Sequence, residues 1–337
     1  MGGTKSILED GQFYPDDPLV GIFAHASLSE SEVSEVATFD EVPKTKLFIT
    51  DPPYNIGFKY GPGVNDRITE EQYAELLRRT VERCSEVSDD DAHLFIIHYP
   101  ESLAKHWDIL TGGEWNFRQW LTWAYPTNTG HSKNKWTTAH RSILWLTKGN
   151  PHFDARAVTQ DFKNPSVKVV KEKKRQGING VALYDWWEIP QVKNISRDYR
   201  GYENQIPFEL LRRIILCTSK PGEWVGDPFG GTFSTARSAL KLGRRGWGCD
   251  INPDVIRFWP TISEWAPREF DHEEGNVDAE NLFTEALEYI PRSQLDRALS
   301  RLLERATAVE LTRVIGRVNG PLIYEKLRIS KNREREE

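Results

Sequence analysis

Two short apolar runs, each cut off by an aspartate and a proline, limit what this chain can fold into. Lys46-Leu47-Phe48-Ile49-Thr50 runs into Asp51-Pro52-Pro53, and Trp224-Val225-Gly226-Asp227 runs into Pro228. Proline has no N–H to give to a ladder, so each run reads as a short buried strand that stops there. After the first run, Thr69 and Gln72 make a capping-box pattern, and Tyr73, Leu76, Leu77, Val81, Cys84 and Val87 follow at helical spacing. Residues 93–99, 119–125 and 142–147 read as further strands. Helical order resumes at Pro207, with Leu210, Leu211, Ile214 and Ile215 on one face, and again over residues 234–242. Gly246-Trp247-Gly248-Cys249-Asp250 is one more strand. This alternation predicts an α/β sheet with helices on both faces.

The 337 residues give room for one large or two modest domains. Residues 1–44 read as an irregular acidic lead-in, 45–149 and 206–262 as the two halves of the α/β domain, and 150–205 as a loop-rich insert between them. From about residue 263 to 337 the pattern turns helical, with Leu295, Leu299, Leu302 and Leu303 the clearest stripe of an appendage. Cys84, Cys217 and Cys249 show no paired spacing, which argues against a disulfide framework or a cysteine metal site and for a reducing, cytoplasmic setting. No apolar stretch approaches the ~20 residues of a membrane span, and the first residues lack a secretory core.

The formal net charge of −6 weighs mildly against a nucleic-acid partner when taken alone. Its distribution says otherwise. Residues 1–44 and 263–292 each hold nine acids and two bases, whereas residues 115–153 hold no acid at all, and residues 163–175 hold six bases and one acid. Such segregation is what one positively charged groove would produce. A solvated lysine-rich loop would produce the second cluster equally well.

Asp51-Pro52-Pro53-Tyr54, set directly after a strand, is the most informative string. Ligands of open α/β sheets bind just beyond the carboxyl ends of the strands, which is where Asp51 stands. Asp227-Pro228-Phe229-Gly230-Gly231-Thr232 stands between a strand and a helix, and Asp250 ends the next strand 23 residues after Asp227. Glycines there let backbone approach a ligand, the helix start offers free N–H groups, and the later acid can accept from ribose hydroxyls, a nucleotide-cofactor pattern. An ordinary strand-to-helix turn with a surface acid is the plainer reading of the second string.

Together the two strings resemble the amino-methyltransferases that modify exocyclic nitrogens of DNA bases using S-adenosylmethionine. The catalytic motif precedes the cofactor loop by 176 residues, the order of the permuted, beta class. Thr137-Thr138-Ala139-His140-Arg141-Ser142-Ile143-Leu144-Trp145, Asp185-Trp186-Trp187-Glu188-Ile189-Pro190 and Asn204-Gln205-Ile206-Pro207 are further family-like stretches, so the resemblance spans about residues 45–260. It implies a Rossmann-like methyltransferase sheet. Asp51, Pro52, Pro53 and Tyr54 would be catalytic, and Asp227, Phe229, Gly230, Gly231, Asp250, Asn204 and Gln205 would hold the cofactor. Phe233 stands where the family usually has a second glycine, Ile206 where it has Lys, and Arg141 where it has Glu; Phe233 would pack over the cofactor or crowd it.

The implied reaction is methylation of adenine N6 in a specific sequence of double-stranded DNA. The N6 lone pair is delocalised, so Asp51 and the Pro52 carbonyl would hold the amino group in an attacking geometry. Proton loss can follow transfer, and an Asp51 near its ordinary pKa would be a poor base that the reaction does not need improved. The base must be flipped out, and stacking on Tyr54, worth ~1–3 kcal/mol, would offset part of that cost. Lys133, Lys135, His140 and Arg141 are candidate nucleic-acid contacts, with surface polar residues as the alternative for the last two. Residues 150–205 and the C-terminal helices would serve target recognition. Most of the tryptophans at 115, 120, 123, 136 and 145 read as core, with Trp136 in a polar loop the exception. Methylation of cytosine N4, a catalytically silent DNA-binding subunit, and action on RNA or a protein amide are the rival activities. No metal or membrane is implied; a homodimer and a restriction or defence-system partner stay open.

Overall fold

The computed structural model describes residues 22–26, 31–34, 42–61, 64–126, 133–178, 180–193, 196, 199–201 and 205–259. All lie in the first of two units, Met1–Pro267 and Arg268–Glu337. Asn204, the Leu295 to Leu303 stripe and the expected helical appendage fall outside the described residues.

In chain order the elements are β1 (Ile22–Ala26), β2 (Ser31–Ser34), β3 (Thr45–Thr50), β4 (Lys59–Gly61), β5 (Val64–Asn65), α1 (Glu70–Glu86), β6 (Ser88–His98), α2 (Pro100–Lys105), α3 (Trp107–Thr111), β7 (Asn116–Ala124) and β8 (His140–Lys148). There follow β9 (Thr159–Gln160), α4 (Lys168–Arg175), β10 (Val181–Ala182), β11 (Trp186–Glu188), α5 (Phe208–Thr218), β12 (Trp224–Asp227), α6 (Ser234–Lys241) and β13 (Arg245–Asp250). Nine strands form one sheet in the order β11-β7-β8-β6-β3-β12-β13-β1-β2. The central four, β6, β3, β12 and β13, are mutually parallel, and β8 runs antiparallel to β6.

The chain leaves β3 through α1 to reach β6 on one side, and leaves β12 through α6 to reach β13 on the other. The neighbours β3 and β12 therefore form the switch point of the sheet, and the crevice beyond their carboxyl ends is the place for a ligand. Asp51 and Asp227 both stand at that crevice. The architecture is a doubly wound, Rossmann-like sheet of α/β class.

Local signals explain most elements. Thr69 Oγ1 accepts from the Gln72 N–H at 3.3 Å and Gln72 Oε1 accepts from the Thr69 N–H at 3.0 Å, closing the capping box. Tyr73, Leu76, Leu77, Val81 and Cys84 are the buried stripe of α1, packed with Phe48, Leu94, Ile96, Trp247 and Cys249. In β13 the alternate positions, Gly246 and Gly248, face α6, where Ala236 and Phe233 leave no room for a Cβ. The two helices thus cover opposite faces, as a pleat of period two requires. Gly226 is glycine for a related reason: a Cβ there would lie 2.2 Å from the Trp247 ring.

Two expectations need correction. The lead-in is not irregular throughout, because β1 and β2 pair antiparallel and extend the sheet beyond β13. Their residues alternate less clearly than buried strands do, so periodicity did not mark them. Likewise the insert is not wholly loop: β11 joins the sheet parallel to β7, with Trp187 opposite Trp123. Among the described residues all three cysteines are buried and free, and no helix is long and apolar enough to cross a membrane.

Candidate active site

The loop after β3 is held from three directions. Asp66, 1% exposed, accepts from the N–H groups of Tyr54 at 3.2 Å, Gly57 at 2.6 Å and Phe58 at 2.7 Å. A carboxylate accepting three backbone bonds is a strong, charge-assisted clamp. From α1, the Tyr73 hydroxyl donates to the Pro53 carbonyl at 2.7 Å, and His98 Nε2 lies 2.5 Å from the same hydroxyl. His98 Nδ1 accepts from the Tyr99 N–H at 2.7 Å, which leaves Nε2 as the protonated donor to Tyr73. Burial lowers the His98 pKa to about 3, so the ring is neutral at ordinary pH. Of the two proline carbonyls, Pro52's receives no hydrogen bond among the described residues.

The third direction is β8. Arg141 is 7% exposed, buried with its guanidinium 3.9 Å from the Tyr99 ring centroid and 5.0 Å from that of Tyr54. Its Nε donates to the Tyr54 hydroxyl at 3.3 Å, and that hydroxyl donates to Asp51 Oδ1 at 2.5 Å. Arg141 is therefore not the surface residue that a strand-starting His-Arg pair suggests; it belongs to the pocket of Asp51. His140 is half-buried, with its carbonyl accepting from the Tyr125 hydroxyl at 3.0 Å. Lys133 and Lys135 are exposed in the preceding loop, and Trp136 beside them is 95% exposed, whereas Trp115, Trp123 and Trp145 are core.

Asp51 departs from the expected ordinary carboxylate. Burial raises its pKa from 3.8 to about 7, against the Tyr54 hydrogen bond and the Arg141 charge, which pull it down. Its carboxyl therefore exchanges a proton near neutrality.

On the other side of the switch point, Asp227 shapes the second loop. Its Oδ1 accepts from the Phe229 N–H at 3.0 Å and its Oδ2 from the Thr235 hydroxyl at 2.9 Å, and burial raises its pKa to about 8. Asp250 accepts from the Gly231 N–H and the Asn252 N–H, each at 2.8 Å, and burial raises it to about 6. Each Asp250 oxygen has one lone pair left over, so the carboxylate can still accept from a ligand hydroxyl. Gln205 is tied to the Arg200 N–H at 3.1 Å. Phe233 turns its ring into the core against Gly230 and Gly248, where an added Cβ would lie 2.7 and 2.6 Å from it. It is 0% exposed, packed with Ala24, Ala236, Val255 and Phe258, with its ring 4.9 Å from that of Trp259.

Sequence reasoning passed over Asp66, Tyr73, His98, Tyr99 and Tyr125. Asp66 carried one usable signal, an acid in a Gly-rich loop closing onto the Asp51 motif; the others look like core residues until the sheet order is known.

These buried groups give a pH dependence with a definite sign. A carboxyl raised by folding is protonated in the folded chain while ionised in the unfolded one, so stability falls as pH climbs from 3.8 toward the folded value. His98 and His93, lowered to about 3 and about 4, act oppositely, but only below the ordinary histidine value of 6.5. Above 6.5, among the described residues, Asp51 and Asp227 set the slope. The melting temperature of the ligand-free protein is expected to fall between pH 6.5 and pH 8. Thermal melts across that window check this; a flat or rising profile contradicts it.

A family described as DNA methylase matches residues 45–260. The DNA adenine methyltransferase YhdJ of Escherichia coli strain K12 is 27% identical over 217 residues, covering 63% of this chain and 73% of that protein. The type II methyltransferase M.HpaI of Haemophilus parainfluenzae is 28% identical over 236 residues, covering 69% of this chain and 70% of that one. Among solved structures, the cytosine-N4-specific PvuII DNA methyltransferase matches 74% of this chain and 89% of its own at 13% identity, with a TM-score of 0.49.

Proposed function

The chain belongs to the DNA methylase family, and we propose that it transfers the methyl group of S-adenosylmethionine to N6 of an adenine flipped out of a specific sequence in double-stranded DNA. The observation that carries this reading is the pairing, across one switch point, of the Asp51-Pro52-Pro53-Tyr54 loop with the Asp227 to Gly231 loop. Asp250 and the backbone of Gly230 and Gly231 would hold the cofactor, with Asp250 accepting from ribose hydroxyls. Asp227 would serve by shaping the loop, since from a buried position it holds the Phe229 N–H and the Thr235 hydroxyl.

When bound, S-adenosylmethionine supplies a methyl group activated on a sulfonium, which the N6 lone pair attacks as the carbon–sulfur bond breaks. Asp51 and the Pro52 carbonyl each accept one N6 hydrogen, which draws the nitrogen toward a pyramidal, attacking geometry. The Pro53 carbonyl is the less available acceptor, since Tyr73 already donates to it. The surplus N6 proton then passes to Asp51, whose raised pKa makes it a better acceptor than an ordinary aspartate. Tyr54 donates to Asp51 Oδ1 and leaves Oδ2 to accept from the base, with the Tyr54 ring available to stack.

Adenine rather than cytosine is favoured by the aspartate at position 51 and by the likeness to YhdJ. The burial of Phe233 weighs against the silent-subunit reading, which predicts duplex binding without S-adenosylmethionine binding in calorimetry. Expression in a methylation-free host, followed by mass spectrometry of nucleosides and sequencing of modified sites, tests the proposal. N6-methyladenine is expected; N4-methylcytosine would reassign the base, and no methylated base would overturn the reading.

The basic segments are proposed as the DNA-facing surface. In α4 no residue is buried, and Lys168, Lys171, Lys173, Lys174 and Arg175 are all exposed or nearly so. Each phosphate contact contributes ~0.9 to the slope of log affinity against log salt. Changing Lys133, Lys135 and the α4 bases to Gln together is expected to flatten that slope by several units in a filter-binding titration. An unchanged slope would mean that these side chains are only solvated.

A further inference from the structure

Burying a cation requires a counter-charge, and Arg141 has none in the ordinary sense. It is 7% exposed, and among the described residues no carboxylate lies within ion-pair distance of it. Three ring faces enclose the guanidinium, those of Tyr99 at 3.9 Å, Tyr54 at 5.0 Å and Tyr125 at 5.4 Å. Rings supply part of what water would have supplied. The rest comes through a relay: Arg141 Nε donates to the Tyr54 hydroxyl, which donates to Asp51 Oδ1. A second guanidinium nitrogen donates to the Tyr125 hydroxyl, which fixes the plane of the group.

We propose that Arg141 is a positioning residue for methyl transfer, acting through Tyr54 as the buried counter-charge that keeps the Asp51 carboxylate aimed and ionised. This rests on the reading of Asp51 as the acceptor of the target amino group. The topology explains how it arises: β8 is antiparallel to β6, so its first residues reach the edge where β6 and β3 end.

The surroundings of Asp51 make Arg141 the decisive charge. Facing Asp51 are Tyr54 on its own loop, Tyr73 of α1, Asp227 of β12, Tyr125 beyond β7 and Arg141 of β8. The tyrosines are neutral and Asp227, which burial raises to about 8, carries a proton at pH 7, so Arg141 is the one charged group of the set. Removing it leaves Asp51 in a buried site with no cation facing it, where protonation is favoured. A protonated Asp51 loses acceptor capacity at the oxygen that carries the proton.

Single-turnover methylation across pH, cofactor calorimetry and thermal unfolding decide the matter on the full-length protein. Arg141→Gln is expected to lower the methylation rate at pH 7 about tenfold or more, with S-adenosylmethionine affinity within about twofold, and to move the acid limb of the rate profile up by about one pH unit. Arg141→Lys is expected to restore much of the limb, and Tyr54→Phe, which cuts the relay but keeps the ring, to shift it upward as well. Should Arg141→Gln fail to fold, these two variants still decide. In unfolding, Asp51→Asn and Arg141→Gln are expected to be non-additive, the second change costing less once the first is present. Additive unfolding effects, or a wild-type acid limb in Arg141→Gln and Tyr54→Phe, would overturn the proposal. Wild type that methylates no DNA would instead fail the reading beneath it, while the unfolding cycle still reports on the pairing.

Discussion

Asp51→Ala is expected to abolish detectable methyl transfer to DNA, with the rate falling by at least ~10²–10³-fold, the loss seen when one preorganised polar partner of a transition state is removed. The reason is positional as well as electrostatic. Asp51 leaves β3 at the switch point, and Asp66 and Tyr73 pin the loop on which it stands. The neighbouring Asp227 is no ready substitute, because it is 3% exposed and holds the Phe229 N–H and the Thr235 hydroxyl. Alanine at position 51 leaves the Pro52 carbonyl as the lone acceptor, and the amino group loses the second hydrogen bond that bends it toward attack. Affinity for S-adenosylmethionine should stay within a few-fold, since the groups proposed to hold it lie on the loops after β12 and β13. Asp51→Asn keeps a carbonyl acceptor but neither the charge nor the basicity, and should fall between wild type and alanine. Incorporation of tritiated methyl groups into DNA checks the series. Full activity in Asp51→Ala would remove Asp51 from the reaction.

The largest effect on stability is expected at Phe233. Its backbone lies at φ 53°, a left-handed conformation that costs a bulky side chain roughly 1 kcal/mol, yet the ring is fully buried. Phe→Ala changes in cores cost about 3–5 kcal/mol. Phe233→Gly recovers the backbone strain and loses the ring, so a net destabilisation of about 2–4 kcal/mol is expected in urea unfolding. The partner of the ring is as informative. A Cβ at Gly248 would lie 2.6 Å from the Phe233 ring, so Gly248→Ala should destabilise the wild type by about 1–3 kcal/mol through overpacking. In the Phe233→Gly background the obstruction is gone and Gly248→Ala should be tolerated. Equal costs in both backgrounds would show that ring and glycine are not packed as a pair. The phenylalanine at this turn therefore exchanges backbone ease for packing.

Several features were legible before any coordinates. The Pro-stopped runs became β3 and β12, the Thr69–Gln72 pattern became a closed capping box, and the Leu210 to Ile215 face became the buried side of α5. Each of these rests on chemistry within a few residues: a missing N–H, a side chain reaching its own helix start, a period of 3.6. Where edge strands are short, as in β1, β2 and β11, pairing with the sheet supplies the order and the sequence carries little sign of it. The candidate site divides the same way. Asp51, Asp227 and Asp250 were recognisable because they end strands, while Tyr73 and His98 were not, because they act on a loop that is remote in sequence. For Phe233 the sequence showed an unusual residue and could not say which side of the turn it would take.

By itself, then, the sequence determined where strands stop, which helices are capped and that two acidic loops sit at strand ends, since these follow from covalent structure and local periodicity. Only the tertiary structure decided that β3 and β12 are neighbours, that Arg141 reaches Tyr54 across 87 residues of chain and that Phe233 turns into the core. Strand order and register set those contacts. They depend on how whole faces pack, and apolar surface attracts without regard to which apolar partner it meets.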